Sequence, residues 1–171
     1  MIKNLKTHLF CFDSHRLFTE EIRKKFDDHS RYVIHSFQTT GELPVIASDS
    51  KENSCKIAII GIHDGMEQAE VIDHLTISLK KTDPLFGIIL LCPPDKTEDI
   101  RKLIRFNVDE YIPQNRNFVL RIHNTVKKIF SEYSIAIHKK RRNRSLLVVF
   151  GFLLFCLLLL MLARIKFPGF F

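Results

Sequence analysis

The chain reads as an α/β protein: a doubly wound, five-stranded parallel sheet followed by one apolar helix near the C-terminal end. Three observations lead there. Short segments rich in β-branched and aromatic residues alternate five times with longer amphipathic stretches over residues 5–130. Two of the short segments, KIAIIGI and FGIILLC, are apolar on both faces, as central parallel strands covered by helices on two sides are. Leu146 to Ala163, LLVVFGFLLFCLLLLMLA, is a run of 18 residues with no charge and no strongly polar side chain. The first two observations together predict a sheet of the flavodoxin-like type.

The strands are expected at His8–Phe12, Tyr32–Phe37, Lys56–Ile62, Phe86–Cys92 and Glu110–Pro113. The first helix should start after Asp13-Ser14, either of which can cap it, with Leu17, Phe18, Ile22 and Phe26 on one side. The second connection, Gly41–Asn53, holds a Pro and several Ser, so only a short helix is expected. The third helix, Glu67–Lys81, places Ile72, Leu75 and Leu79 on one face and is closed by Asp83-Pro84. The fourth, Thr97–Phe106, follows Pro93-Pro94 and carries Ile100, Leu103 and Ile104. The fifth starts near Asn115–Asn117. There Val119, Ile122, Val126, Ile129, Tyr133 and Ala136 follow a 3-4-3-4-3 spacing, and no Gly or Pro interrupts Arg116 to Phe150. Up to Ile129 that stripe suits packing on the sheet. Tyr133 and Ala136 should lie beyond its cover, where the helix would run toward a membrane and pair with a second copy as a short coiled coil.

The apolar run predicts a membrane anchor. As a helix it is roughly 27 Å long, near the hydrocarbon thickness of a bilayer. It is apolar on every face, which a domain of this size cannot bury. The expected organisation is a globular domain over 1–130, a basic helical linker over 131–145, the anchor over 146–163 and a short tail over 164–171. Charge agrees. All 19 acidic residues and 19 of the 26 basic ones lie in 1–137, so the net +7 comes from Lys139, Lys140, Arg141, Arg142, Arg144, Arg164 and Lys166. That excess flanks the apolar run, so a membrane accounts for it and a nucleic-acid partner is not expected. Five flanking cations precede the run and two follow it. The positive-inside bias then puts the N-terminal domain in the cytoplasm, on an inner membrane if the source is bacterial. The cluster would serve as an orientation signal and touch anionic lipid headgroups. Phe167, Phe170 and Phe171 suit the far interface, with Pro168-Gly169 ending the helix.

The N-terminal segment MIKNLKTHLFCF has no apolar stretch long enough for a secretory signal. Cys11, Cys55, Cys92 and Cys156 form no CxxC pair and have no His at zinc spacing, so free thiols are expected. In a doubly wound fold, chemistry gathers at the C-terminal strand ends. Those ends read Phe12-Asp13-Ser14, Ile60-Gly61-Ile62-His63-Asp64, Leu91-Cys92-Pro93 and Ile112-Pro113-Gln114. They contain no GxGxxG, no Walker loop and no nucleophile elbow, so no cofactor, metal or catalytic group is expected. His15 and His63 as a metal pair are the weaker reading beside two uncommitted loop histidines.

FDSHRLFTEEI resembles the first strand end and helix of a response-regulator receiver domain, in the subfamily reading D-D-H-P-L-F-x-x-x-L/I. FNVDEYIPQN resembles the same family's G-A-x-G-Y-L-x-K. The resemblance covers about residues 5–130. It implies phosphoryl transfer to an Asp after strand three, with Mg²⁺ held by two acids after strand one. A hydroxyl after strand four and a Lys after strand five would bind the phosphoryl group. Carried over position by position, Asp13 matches the first acid. The second acid is Ser14, the acceptor is Gly61, the hydroxyl is Cys92 and the Lys is Gln114. The resemblance therefore implies a degenerate receiver that keeps the fold and lacks the switch chemistry.

The expected function is protein–protein interaction in signalling by a membrane-anchored pseudo-receiver without enzymatic activity. Its partners would be membrane lipid and a signalling protein, a histidine kinase or another receiver, with homodimers formed through the fifth helix. An anchor sits where the subfamily carries its DNA-binding module. The first alternative is a phosphorylatable receiver that uses Asp64, three residues past the acceptor position. The second is a flavin- or nucleotide-binding flavodoxin-like domain.

Overall fold

The computed structural model describes residues 5–13, 18–38, 54–63, 65–104 and 107–166; of the side chains at 65–67, 69, 141, 144, 158, 160 and 162–166 nothing is said. Two compact units divide the chain, Met1–Ser131 and Glu132–Phe171. The described elements run β1 (Thr7–Phe12), α1 (Thr19–Lys25), β2 (Tyr32–Phe37), β3 (Cys55–Gly61), α2 (Gly65–Thr82), β4 (Gly87–Cys92), α3 (Thr97–Leu103), β5 (Glu110–Pro113) and α4 (Phe118–Lys166). The strands form one five-stranded sheet in the order β2-β1-β3-β4-β5, and every pair is parallel. This is the expected flavodoxin-like order, with strand limits within one residue of the sequence reading. The short helix expected in Gly41–Asn53, Leu17 of the first helix and Phe106 of the fourth lie outside the described residues.

The two central strands show why the sheet is doubly covered. Every residue of β3 and of β4 is buried. On one face Phe10, Ile60 and Leu90 join Ile72 and Leu79 of α2 and Ile100 of α3 in a single apolar cluster. Alternate residues Leu9, Ile57 and Ile89 point the other way and are fully buried as well, as are Ile22 of α1 and Ile122 and Val126 of α4. Each such side chain contributes about 1.5–3 kcal/mol relative to exposure. Gly87 sets how closely α4 approaches: a Cβ there would meet Ile129 Cγ2 at 2.8 Å and Ile57 Cγ1 at 3.2 Å. The ring of Phe26 at the end of α1 lies 5.4 Å from that of His123 on α4, which seats α1 beside α4.

The sheet's β5 edge is pinned through Asp109. Its backbone N–H donates to Ile88 O at 2.9 Å, while its Oδ2 accepts from Ile88 N at 2.7 Å and from Lys80 Nζ at 3.0 Å. Just before it, Asn107 adopts φ 71°, a left-handed conformation that Asn tolerates better than most non-glycine residues. Tyr111 of β5 donates its hydroxyl to Ile104 O, and the Arg101 guanidinium stands 5.4 Å over its ring.

The fifth helical stretch is one unbroken helix of 49 residues. The sequence reading expected Tyr133 to lie uncovered, and this is corrected: Tyr133 is 5% exposed. The 4-3-4 spacing from Ile122 through Val126 and Ile129 keeps it on the helix's buried side, and its side chain is long. Ala136 is half-buried. Farther on, apolar side chains are exposed all around the helix, from Leu146 and Leu147 to Phe155, Leu157 and Met161. Among the described residues no helix is long and apolar enough to cross a membrane. The expected anchor, Leu146–Ala163, includes four positions whose side chains are outside the description (158, 160, 162 and 163).

Candidate functional site

Strand register assembles the site at the C-terminal edge of the sheet. Phe12 pairs with Ile60, so Asp13 and Gly61 stand at the same level on neighbouring strands. Gly61 in turn pairs with Leu91, just before Cys92, and Cys92 pairs with Pro113, just before Gln114. Four expected positions are thus gathered: Asp13, Gly61, Cys92 and Gln114. Ser14, Asp64 and His15 lie outside the described residues.

Asp13 is 2% exposed, and its carboxylate meets the start of α1. Oδ2 accepts from Phe18 N at 2.9 Å, from Thr19 N at 3.2 Å and from Thr19 Oγ1 at 3.2 Å. A carboxylate placed on the first amides of a helix satisfies donors that have no partner within the helix. Asp13 thus holds the first amides of α1 from a distance: the helix expected directly after Asp13-Ser14 begins at Thr19, with Phe18 as its N-cap residue. Its Oδ1 lies 3.8 Å from Nε2 of His63, a side chain that is only 12% exposed. The His63 backbone N–H donates to Gln68 Oε1 at 3.0 Å, which turns the chain from β3 into α2.

Gly61 is more than a position without a carboxylate. A Cβ built there would meet Phe18 Cε1 at 2.6 Å, His63 Nε2 at 3.0 Å and Phe18 Cζ at 3.4 Å. The ring of Phe18, 2% exposed, stands where any side chain at position 61 would project. Sequence reading had placed Phe18 in the core of the first helix and missed this role. The signal was present: a Gly at a strand end marks a close approach by another group, but which group approaches depends on the fold.

Cys92 is fully buried, and burial pushes its thiol up to about 12, so it stays protonated at neutral pH and offers at most a weak donor. Burial likewise pushes Cys11 and Cys55 up to about 12. The Gln114 backbone N–H donates to Cys92 O at 2.8 Å. Its Nε2 is buried and has no hydrogen-bond partner among the described residues. Beside it a cleft of about 130 Å³ is lined by Phe18, Glu21, Gln114, Asn115 and Phe118. Among the described residues no group of three or more His, Cys, Asp or Glu is placed to hold a metal ion.

No protein-family model and no curated sequence matches the chain. Solved structures do match. A response-regulator receiver domain from Clostridium thermocellum aligns with 77% of this chain and 99% of its own, at 12% identity and a TM-score of 0.59. The signal receiver domain of an HD domain-containing protein from Pseudomonas fluorescens Pf-5 aligns over 75% and 98%, at 14% identity and a TM-score of 0.57. A CheY-like receiver domain protein from Methanospirillum hungatei JF-1 aligns over 75% and 98%, at 19% identity and a TM-score of 0.53. The fold is that of CheY-like response-regulator receiver domains.

Proposed function

We propose that this chain is a membrane-tethered pseudo-receiver that signals by protein–protein contact and has neither a phosphoryl switch nor an enzymatic activity. The observation that carries the reading is the Phe18 ring beside Gly61, 2.6 Å from where a Cβ would stand. The acceptor position lacks its carboxylate, and the space for one is filled. The first metal-binding acid, Asp13, is engaged in starting α1. A buried thiol and a neutral amide replace the two groups that would read a phosphoryl charge.

Tethering is supported by the second unit. Its helix exposes Leu147, Val148, Phe150 and Phe152, each by 65% or more. Water does not tolerate such a surface on a monomer, whereas lipid does. Lys139, Lys140 and Arg142 are exposed just ahead of it and suit anionic headgroups on the cytoplasmic side of an inner membrane. A signalling protein, a histidine kinase or another receiver among them, is the partner class that fits the fold, and a second copy of the chain fits the long helix.

The test uses the full chain in lipid nanodiscs with Mg²⁺ and acetyl phosphate or beryllofluoride. No phosphorylation labile to hydroxylamine or alkali and no Mg²⁺-dependent amide shift around Asp13 and Gly61 is the expected outcome. Mg²⁺-dependent phosphorylation that disappears in Asp64→Asn would replace this reading with a phosphorylatable receiver. Release of the chain from membranes by alkaline carbonate would remove the anchor.

A further inference from the structure

We infer that His8 and His35 form an acid-sensitive latch that holds the edge strand β2 on β1 and releases it in mild acid. Among the described residues β2 is an outer strand whose one neighbour in the sheet is β1. The register pairs His8 with Val33 and Phe10 with His35, so the two histidines are diagonal neighbours across this junction. His8 Nδ1 and His35 Nε2 are 3.2 Å apart, the rings are within 9° of parallel, and their centroids are 5.4 Å apart. One ring N–H donates to the other ring's lone pair, and the tautomers set the direction. Phe10 lies against His35 at 5.0 Å and 14°, and Phe86 lies 5.8 Å beyond Phe10. The imidazole bridge therefore borders the apolar cluster, and both histidines are half-buried.

Such a bridge is satisfied when both rings are neutral. The first proton adds charge to a half-buried patch. The second turns both facing nitrogens into N–H donors, and the bond is lost. Among the described residues the charges acting on the pair are cationic: Lys56 on β3 and Lys6 ahead of β1. Burial holds His8 below the ordinary histidine range, and His35, Lys56 and Lys6 push it the same way; burial alone lowers His35. The sign follows. A base whose proton affinity is lower in the closed form binds more protons when open, so closure is complete above the ordinary value of 6.5 and weakens as pH falls below it. Each histidine that takes its proton only in the open form raises the opening equilibrium about tenfold between pH 7.5 and 5.5.

Hydrogen exchange of the full chain in nanodiscs tests this, at pH 7.5 and 5.5 after correction for intrinsic rates. The β2 amides of Tyr32–Phe37 should lose protection by about ten- to a hundredfold in acid, with β4 amides of Gly87–Cys92 unchanged. In the double variant His8→Gln, His35→Gln, whose amides hydrogen-bond without titrating, the β2 ratio should stay near one. A wild-type β2 ratio within about twofold of one would overturn the latch, and so would equal loss in β4 or an acid response kept by the double variant. If that variant does not fold, NMR titration of the two imidazoles in the wild-type chain decides. Two coupled steps below the free-histidine value support the latch, and two independent ordinary titrations refute it.

Discussion

Gly61→Ala tests the packing of Phe18 against the end of β3 directly. The added Cβ would stand 2.6 Å from Phe18 Cε1 and 3.0 Å from His63 Nε2. Carbon atoms in contact settle at about 3.5–4.0 Å, so the ring must retreat by roughly 1 Å in a packed site. Overpacking of that kind costs about 1–3 kcal/mol. Backbone entropy works the other way: Ala in a strand is favoured over Gly by roughly 0.5–1 kcal/mol. The wild-type background should therefore show a net loss of up to about 2.5 kcal/mol. Phe18→Ala alone should cost about 3–5 kcal/mol through the cavity it leaves. In that background the ring clash is gone and only the 3.0 Å approach to His63 Nε2 remains, so Gly61→Ala should become close to neutral. The double-mutant coupling would then be about 1–3 kcal/mol. Native-state hydrogen exchange of β3 amides supplies the free energies. An equal effect of Gly61→Ala with and without the Phe18 ring would show that Phe18 does not fill this space. For the same reason Gly61→Asp should not restore phosphorylation, because it adds a buried charge as well as the clash.

Three further outcomes follow from named contacts. Asp13→Ala removes three hydrogen bonds to the start of α1 and should cost about 2–4 kcal/mol, with Asp13→Asn milder and neither loss altered by Mg²⁺ in thermal melts. Gly87→Ala drives a methyl against Ile129 Cγ2 at 2.8 Å and should destabilise by about 1–3 kcal/mol in the same exchange experiment, whereas Gly151→Ala, with open space around it, should not. Cys11, Cys55 and Cys92, with thiols pushed up to about 12, should resist a maleimide at pH 8 in the folded chain and react on unfolding, as read by mass spectrometry.

The alternation of KIAIIGI and FGIILLC with amphipathic stretches was enough to specify a doubly wound parallel sheet, because only strands covered on both faces can be apolar at every position. The residue types at Gly61, Cys92 and Gln114 were equally legible: none of them carries a carboxylate, a hydroxyl or an ammonium. Charge totals likewise separated a globular part with balanced charge from a basic, apolar extension. These properties are local or additive, and a linear chain displays them directly. The tertiary structure decided the rest. Phe18 looked like one more core residue of an amphipathic helix. It reaches Gly61 only because Asp13 sets where α1 begins and β1 lies beside β3. His8 and His35 are 27 positions apart and meet through the β1–β2 register. Tyr133 looked uncovered, yet it is 5% exposed. Each depends on which strands are neighbours and how far apart packed surfaces settle, and those distances exist only once the chain has folded.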